Sequence, residues 1–195
     1  MFRTIIRDIP NRINFLFGKY TVEIGYPWFS YGAIIAIEEL VKRDHKVLEL
    51  GSGGSTIFFS RRCNSVKSYE TKPEWEKKVM SALPNSSNVT MICGYGEPLL
   101  ESLRKEPNEY YDWLIVDLAH SKGRMATKTR NRFRLRYLTM LEGIPKLKTG
   151  GYMVVDNYAE DNLNTFDYTG WDVYTFDDLR YSGRGTKICI KGRSQ

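Results

Sequence analysis

The chain alternates short apolar runs with longer stretches whose apolar residues recur three and four positions apart. Val47, Leu48 and Leu50 form a run of the kind buried on both faces of a parallel sheet. Ile57-Phe58-Phe59 resumes the apolar pattern after a glycine-rich break. Upstream, Ile34, Ile37, Leu40 and Val41 share one face of a helix predicted over 31–43, with Ser30 as its cap. Ser65–Glu70 predicts a second strand. A helix follows to about Leu83, opened by the capping-box pattern Thr71-Lys72-Pro73-Glu74. Val89–Cys93, the helix Glu97–Arg104 and the strand Tyr111–Asp117 come next. Residues 128–142 fit two periods: Phe133, Leu135 and Tyr137 alternate, whereas Phe133, Tyr137, Met140 and Leu141 recur as on a helix. A parallel sheet needs a crossover at this point, which selects the helix. A turn at Thr149-Gly150-Gly151 leads into a fifth strand, Tyr152–Asp156. A loop and short helix over 158–166 and two last strands, Trp171–Phe176 and Thr186–Lys191, complete the pattern.

Such alternation predicts a doubly wound α/β sheet, in which ligands bind at the carboxyl ends of the strands. Acids stand at or near four of those ends: Glu49, Glu70, Asp117 and Asp156. The break after the first strand holds Gly51, Gly53 and Gly54, whose lack of a Cβ lets the backbone turn sharply and lie against a ligand. A dinucleotide fingerprint would require glycine where Thr56 stands. The pattern present is instead acidic-x-Gly-x-Gly, and a carboxylate there suits a cationic ligand better than a pyrophosphate.

Glu49, Gly51, Gly53 and Glu70, in this order of elements, resemble the class I S-adenosylmethionine-dependent methyltransferases over about residues 30–191. The segment LKTGGYMVVDN is similar to that family's approach to its fifth strand, with Thr149 in place of proline. The resemblance implies a Rossmann-like, seven-stranded sheet of order 3-2-1-4-5-7-6, its last strand antiparallel and helices on both faces. It implies S-adenosyl-L-methionine as cofactor, held by Glu49, Gly51, Ser52, Gly53, Ser55 and Thr56 at the first turn. Glu70 would take the ribose hydroxyls, Gly94 and Tyr95 the adenine, and Asp117 would follow the fourth strand. Residues 1–29 would form a lid or substrate segment on a single methyltransferase domain, 30–195. Within the class, Asp117, Asp156 and Asn157 resemble the Mg²⁺ ligands of the catechol and caffeoyl-CoA type O-methyltransferases. The chain departs from that group in a basic insertion between Asp117 and Asp156. The same group carries a lysine base in the pattern D-x-x-K, where this chain has Asp117-Leu118-Ala119-His120. His120 is thus the expected general base, with Asp117 and Lys122 the other catalytic candidates. Trp28, Phe29, Asn157 and Tyr158 are the expected substrate contacts. His45 reads as a surface turn residue and Trp75 as helix packing.

Charge widens the choice of partner. The net charge is +6, yet residues 118–148 alone carry nine Lys and Arg against one acid, Glu142. This block fits an acidic partner, including nucleic acid tracked by segment 122–136, or a solvated helix face. The methyl acceptor is therefore a small hydroxyl-bearing or anionic molecule, or an RNA ribose or similar group. Asp117-Leu118-Ala119-His120 lacks the N/D-P-P-Y/F pattern of base N-methylation. A cofactor-binding protein without catalysis would share the same turn and carboxylates. No apolar run reaches the ~18–20 residues of a membrane span, and the basic N-terminus, broken by Asp8 and Pro10, is not a signal peptide. Cys63, Cys93 and Cys189 are unpaired by spacing and predict free thiols in a reducing, cytoplasmic setting. No pattern specifies an oligomeric state.

Overall fold

A computed structural model describes residues 21–83, 88–118, 129–159, 161–177 and 185–192; for 129–134 and 161–162 it describes the backbone alone. The elements are α1 (Thr21–Ile24), α2 (Tyr31–Leu40), β1 (Lys46–Leu50), α3 (Gly54–Ser60), β2 (Ser65–Glu70), α4 (Pro73–Ala82), β3 (Val89–Cys93) and α5 (Glu97–Arg104). Then come β4 (Tyr111–Val116), α6 (Thr129–Gly143), β5 (Leu147–Asp156), β6 (Trp171–Phe176) and β7 (Thr186–Lys191), with single 3₁₀ turns at Ile144–Lys146 and Asp161–Thr165. The seven strands form one sheet of order β3-β2-β1-β4-β5-β7-β6. Strands β1 to β5 pair in parallel, and β7 runs antiparallel to both β5 and β6.

The strand period of two divides the core. Val47, Val66, Trp113, Ile115, Val154 and Ile188 face α2 and α3 through Ala33, Ile34, Ile37, Phe58 and Phe59. Their neighbours Leu48, Leu50, Leu114, Val116, Met153 and Val155 face α5 and α6 through Leu99, Leu103 and Met140. With both faces covered, β1 and β4 read as near-continuous apolar runs, and this is what made them visible in sequence.

Several local expectations are corrected. Helix α2 ends at Leu40, and Ser30 makes no side-chain cap: its Oγ donates to Phe176 O at 2.9 Å and its N–H donates to Thr186 Oγ1 at 2.9 Å. Lys72, not Thr71, precedes α4, because Thr71 turns back to donate to Glu70. The predicted turn at 149–151 lies inside β5: two positions of β4, Tyr111 and Trp113, face Leu147 and Tyr152, so Thr149-Gly150-Gly151 bulges out of the ladder. Gly150 takes the positive φ of 78° that this bulge requires. His45 is no free turn residue. Its Nδ1 accepts from Trp113 Nε1 at 2.8 Å and from Lys42 N–H at 3.2 Å, and burial lowers its pKa. The three cysteines are free thiols.

Candidate functional site

The carboxyl ends of β1, β2 and β4 meet at the glycine turn. Gly51 N–H donates to Tyr69 O and Asp117 N–H to Leu50 O, both at 2.8 Å, so the ladder continues into the turn. The three glycines answer to different neighbours. A Cβ on Gly51, at φ 100°, would lie 2.3 Å from Asp117 O; the backbone after β4 demands this glycine. A Cβ on Gly54 would lie 2.1 Å from Tyr26 O and 2.7 Å from Thr21 O, so the N-terminal segment demands that one. Gly53 has an extended backbone, and a Cβ there would meet only Ser55 Oγ, at 4.0 Å. The missing side chain of Gly53 leaves open space beside the cavity that it lines.

That cavity, of about 240 Å³, is lined by the turn residues Ser52 to Ser55, by Glu70, Lys72 and Trp75 from the β2–α4 side, by Asp117, and by Thr21 and Trp28 above. The last two belong to a strap, residues 21–30, that crosses the glycine turn. Val22 holds one end against Ile57 and Val79, and Ser30 holds the other through Thr186 and Phe176. Trp75 Nε1 donates to Ser52 O at 2.7 Å, which fixes its ring as a wall. Among the described lining residues two are acids and one, Lys72, is a base.

Glu70 is 3% exposed and saturated with donors. Its Oε2 accepts from Ser52 N–H and Ser52 Oγ at 3.1 and 2.8 Å, and its Oε1 accepts from the N–H groups of Thr71 and Lys72 at 2.7 and 3.0 Å and from Thr71 Oγ1 at 3.3 Å. Glu49 does not line the cavity, contrary to the expectation of a direct ligand contact. It is fully buried, and the hydroxyls of Ser55, Thr56 and Ser68 each donate to it at 2.6 Å. Burial pushes its pKa up to about 7 against the three hydroxyls that favour the anion, and Asp117 adds to the rise. Thr56 Oγ1 also accepts from Gly53 N–H at 2.9 Å, so Glu49 braces the turn from behind.

At the neighbouring strand ends, Asp117 lines the cavity with a side chain 27% exposed. Asp156 is buried: Thr186 Oγ1 donates to its Oδ1 at 2.7 Å and Asn157 Nδ2 to its Oδ2 at 2.8 Å. Burial, then the charge of Asp117, raises the Asp156 pKa. This is not the metal cage expected of Asp117, Asp156 and Asn157, because the Asp156 oxygens are already engaged and its side chain is enclosed. Among the described residues no group of three or more His, Cys, Asp or Glu is arranged to hold a metal ion.

Other expected contacts lie elsewhere. Phe29 is 1% exposed and packs in the α2–α3 core, whereas its neighbour Trp28 lines the cavity. Gly94 and Tyr95 do not line the cavity, and Tyr95 is 58% exposed. Tyr158 donates to Asp177 Oδ1 at 2.8 Å, with Lys187 over its ring. His120 and Lys122 lie outside the described residues, as do the side chains of the basic block up to Arg134. Beyond that point the block is structural. Arg136 is 2% exposed, Lys146 Nζ donates to Arg104 O and Asn108 Oδ1, and Lys148 pairs with Asp112 at 2.6 Å. Thr21, Lys72, Trp75 and Arg136 were not expected at the site. Trp75 had one signal, its place in the first turn of the helix after Glu70.

No family model and no curated protein matches the chain in sequence. Solved structures do match in shape. An rRNA methylase from Streptococcus thermophilus superposes with a TM-score of 0.57 at 15% identity, over 81% of this chain and 92% of its own. The O-methyltransferase TomG from Streptomyces achromogenes, solved in complex with SAM, gives 0.55 at 12% identity, over 77% and 74%. The fibrillarin pre-rRNA processing protein of Methanococcus jannaschii gives 0.53 at 16%, over 79% and 69%. The fold is that of the class I methyltransferases. At these identities the likeness is one of fold, and the three names divide between small-molecule and RNA chemistry. No helix among the described residues is long and apolar enough to cross a membrane.

The residues present fit SAM, the ligand with which TomG was solved. Two carboxylates face the cavity, suited to a ligand that carries an ammonium and a sulfonium. Gly53 leaves room at the turn, and Glu70 accepts from the hydroxyls of Ser52 and Thr71.

Proposed function

We propose that this protein is an S-adenosyl-L-methionine-dependent methyltransferase that methylates an oxygen of a small hydroxyl-bearing or anionic acceptor. The observation that carries the reading is the pairing of Glu70 and Asp117 with the open side of Gly53 around one cavity at the carboxyl edge. Glu70, Asp117, Ser52, Gly53 and Ser55 would hold the cofactor, which supplies an electrophilic methyl group when bound. Glu70 accepts from two hydroxyls, Ser52 Oγ and Thr71 Oγ1, and these positions suit exchange for a ribose diol. Glu49 keeps the turn in shape without touching the ligand. Trp28 and Trp75 exclude water and offer flat apolar faces to an acceptor. His120, three positions after Asp117, takes the acceptor's proton, with Lys122 as the alternative base. The strap forms part of the lid expected of residues 1–29.

Calorimetry with S-adenosylhomocysteine tests the reading. Binding is expected, and Glu70→Ala should weaken it roughly tenfold to a hundredfold, the worth of hydrogen bonds to a charged group. Binding of NAD without any response to S-adenosylhomocysteine would overturn it. Transfer of a labelled methyl group to acceptor pools identifies the substrate, and its absence despite binding would favour a non-catalytic role. His120→Ala should lower turnover by about 10²–10⁴ and leave cofactor affinity unchanged. Activity that survives chelation would exclude a role for Mg²⁺. An RNA acceptor is the second reading, favoured by the basic segment 122–134. It requires an affinity for RNA that falls steeply with salt.

A further inference from the structure

Arg136 sits at the join between β4 and β5. Its Nη2 donates to Val116 O at 3.0 Å and also to Asp156 O, the last carbonyls of the two strands. The same nitrogen lies 3.7 Å from Asp117 Oδ1. The side chain comes from α6, whose Thr139 Oγ1 in turn donates to Arg136 O at 2.9 Å. A guanidinium is held so deep in the protein only where several acceptors converge on it, because desolvating the charge is costly. Here two strand-end carbonyls accept from it and one carboxylate lies within ion-pair range, while among the described residues Nε is buried without a hydrogen-bond partner. A site that served packing alone would place an apolar side chain there. The buried cation instead lies among acids: Asp117 beside it, and Asp156 on the strand end it grips.

We infer that Arg136 is a positioning residue of the cofactor site, acting through Asp117. It ties the ends of β4 and β5 at a fixed separation and holds the Asp117 carboxylate at the cavity. Without it Asp117 would lose this ion pair, and the two carbonyls would lose this donor. The inference rests on the cavity being the cofactor site. It predicts a coupling: the contribution of Arg136 to ligand affinity passes through Asp117 and vanishes when Asp117 is neutral.

The experiment is a double-mutant cycle read by calorimetry with S-adenosylhomocysteine, using wild type, Arg136→Met, Asp117→Asn and the double variant. Arg136→Met is expected to weaken binding at least about tenfold in the wild-type background. In the Asp117→Asn background the same change should alter affinity less than about twofold. Arg136→Lys restores the charge without the fork and should recover part of the loss. If Arg136→Met does not fold, Arg136→Lys and Arg136→Gln carry the same cycle. Equal losses in both Asp117 backgrounds, or losses that follow the unfolding temperature alone, would overturn the inference and leave the methyltransferase reading intact. A wild-type protein that fails to bind S-adenosylhomocysteine would remove both.

Discussion

The three glycines of the turn look alike in sequence and should fail in three different ways. Gly51→Ala places a Cβ 2.3 Å from Asp117 O at a φ of 100°. The left-handed strain costs roughly 1–2 kcal/mol and the overpacking against backbone roughly 1–3 kcal/mol more. Their sum is a large share of a typical total stability of about 5–15 kcal/mol. Gly54→Ala avoids the strain but pushes on Tyr26 O and Thr21 O, both in the strap, so the strap should lift at a cost of roughly 1–3 kcal/mol. Gly53→Ala meets only Ser55 Oγ, at 4.0 Å, and should stay within about 1 kcal/mol of wild type, since the extended backbone accepts alanine. Its effect falls on the ligand: affinity for S-adenosylhomocysteine should drop roughly tenfold, as it would on removing one strong hydrogen bond. Urea unfolding analysed by linear extrapolation, paired with calorimetry on the same samples, separates the three. A Gly53→Ala protein as unstable as Gly51→Ala, or one that binds with unchanged affinity, would refute this assignment of roles.

Burial sets two further expectations. Glu49 titrates near 7 in the folded protein against an ordinary 4.5, so the native state holds a proton that the unfolded chain has released between those values. Stability should therefore fall as pH rises from about 4.5 to about 7, by on the order of 3 kcal/mol. Glu49→Gln should lessen that slope and leave the part that the raised pKa of Asp156 contributes over the same range, and an unchanged slope would show that Glu49 is not a source of it. Phe29→Ala should cost about 3–5 kcal/mol in unfolding free energy, whereas Trp28→Ala should cost less and act mainly on ligand affinity. Denaturation and binding curves on the pair check this, and a reversed order would mean that the two rings have been assigned the wrong way round.

The sheet was legible in sequence because β1, β3, β4 and β5 each carry an apolar stretch closed at or near its end by an acid or a glycine, and β2, with only Val66 and Tyr69 apolar, keeps the closing acid. The site was legible where one residue meets backbone next to it in the fold, as Gly51 and Glu70 do. It was not legible where the decision is made by a distant partner. Whether Trp28 or Phe29 faces the cavity depends on which ring α2 and β7 can enclose. Glu49 matches the motif, yet Ser68 on the neighbouring strand and the two hydroxyls of α3 draw it inward. His45 looks like a turn residue until Trp113 is placed beside it. Arg136 was one of nine cations in a basic block, and only the meeting of two strand ends gives it a separate role.

The tether of the strap also sets an order on the birth of the molecule. Ser30 reaches partners 146 and 156 residues further along the chain, at the close of β6 and the start of β7. During synthesis the glycine turn and its carboxylates emerge well before that hairpin does. The roof over the cavity thus lacks its Ser30 anchor until β6 and β7 have left the ribosome, and contacts so distant in sequence are slow to close. A chain cut short before β7 would carry every residue of the glycine turn and the Val22 anchor, and still lack the Thr186 partner that holds the other end of the roof. Strands β6 and β7 therefore serve as the latch of that roof, closed long after the turn beneath it has been made.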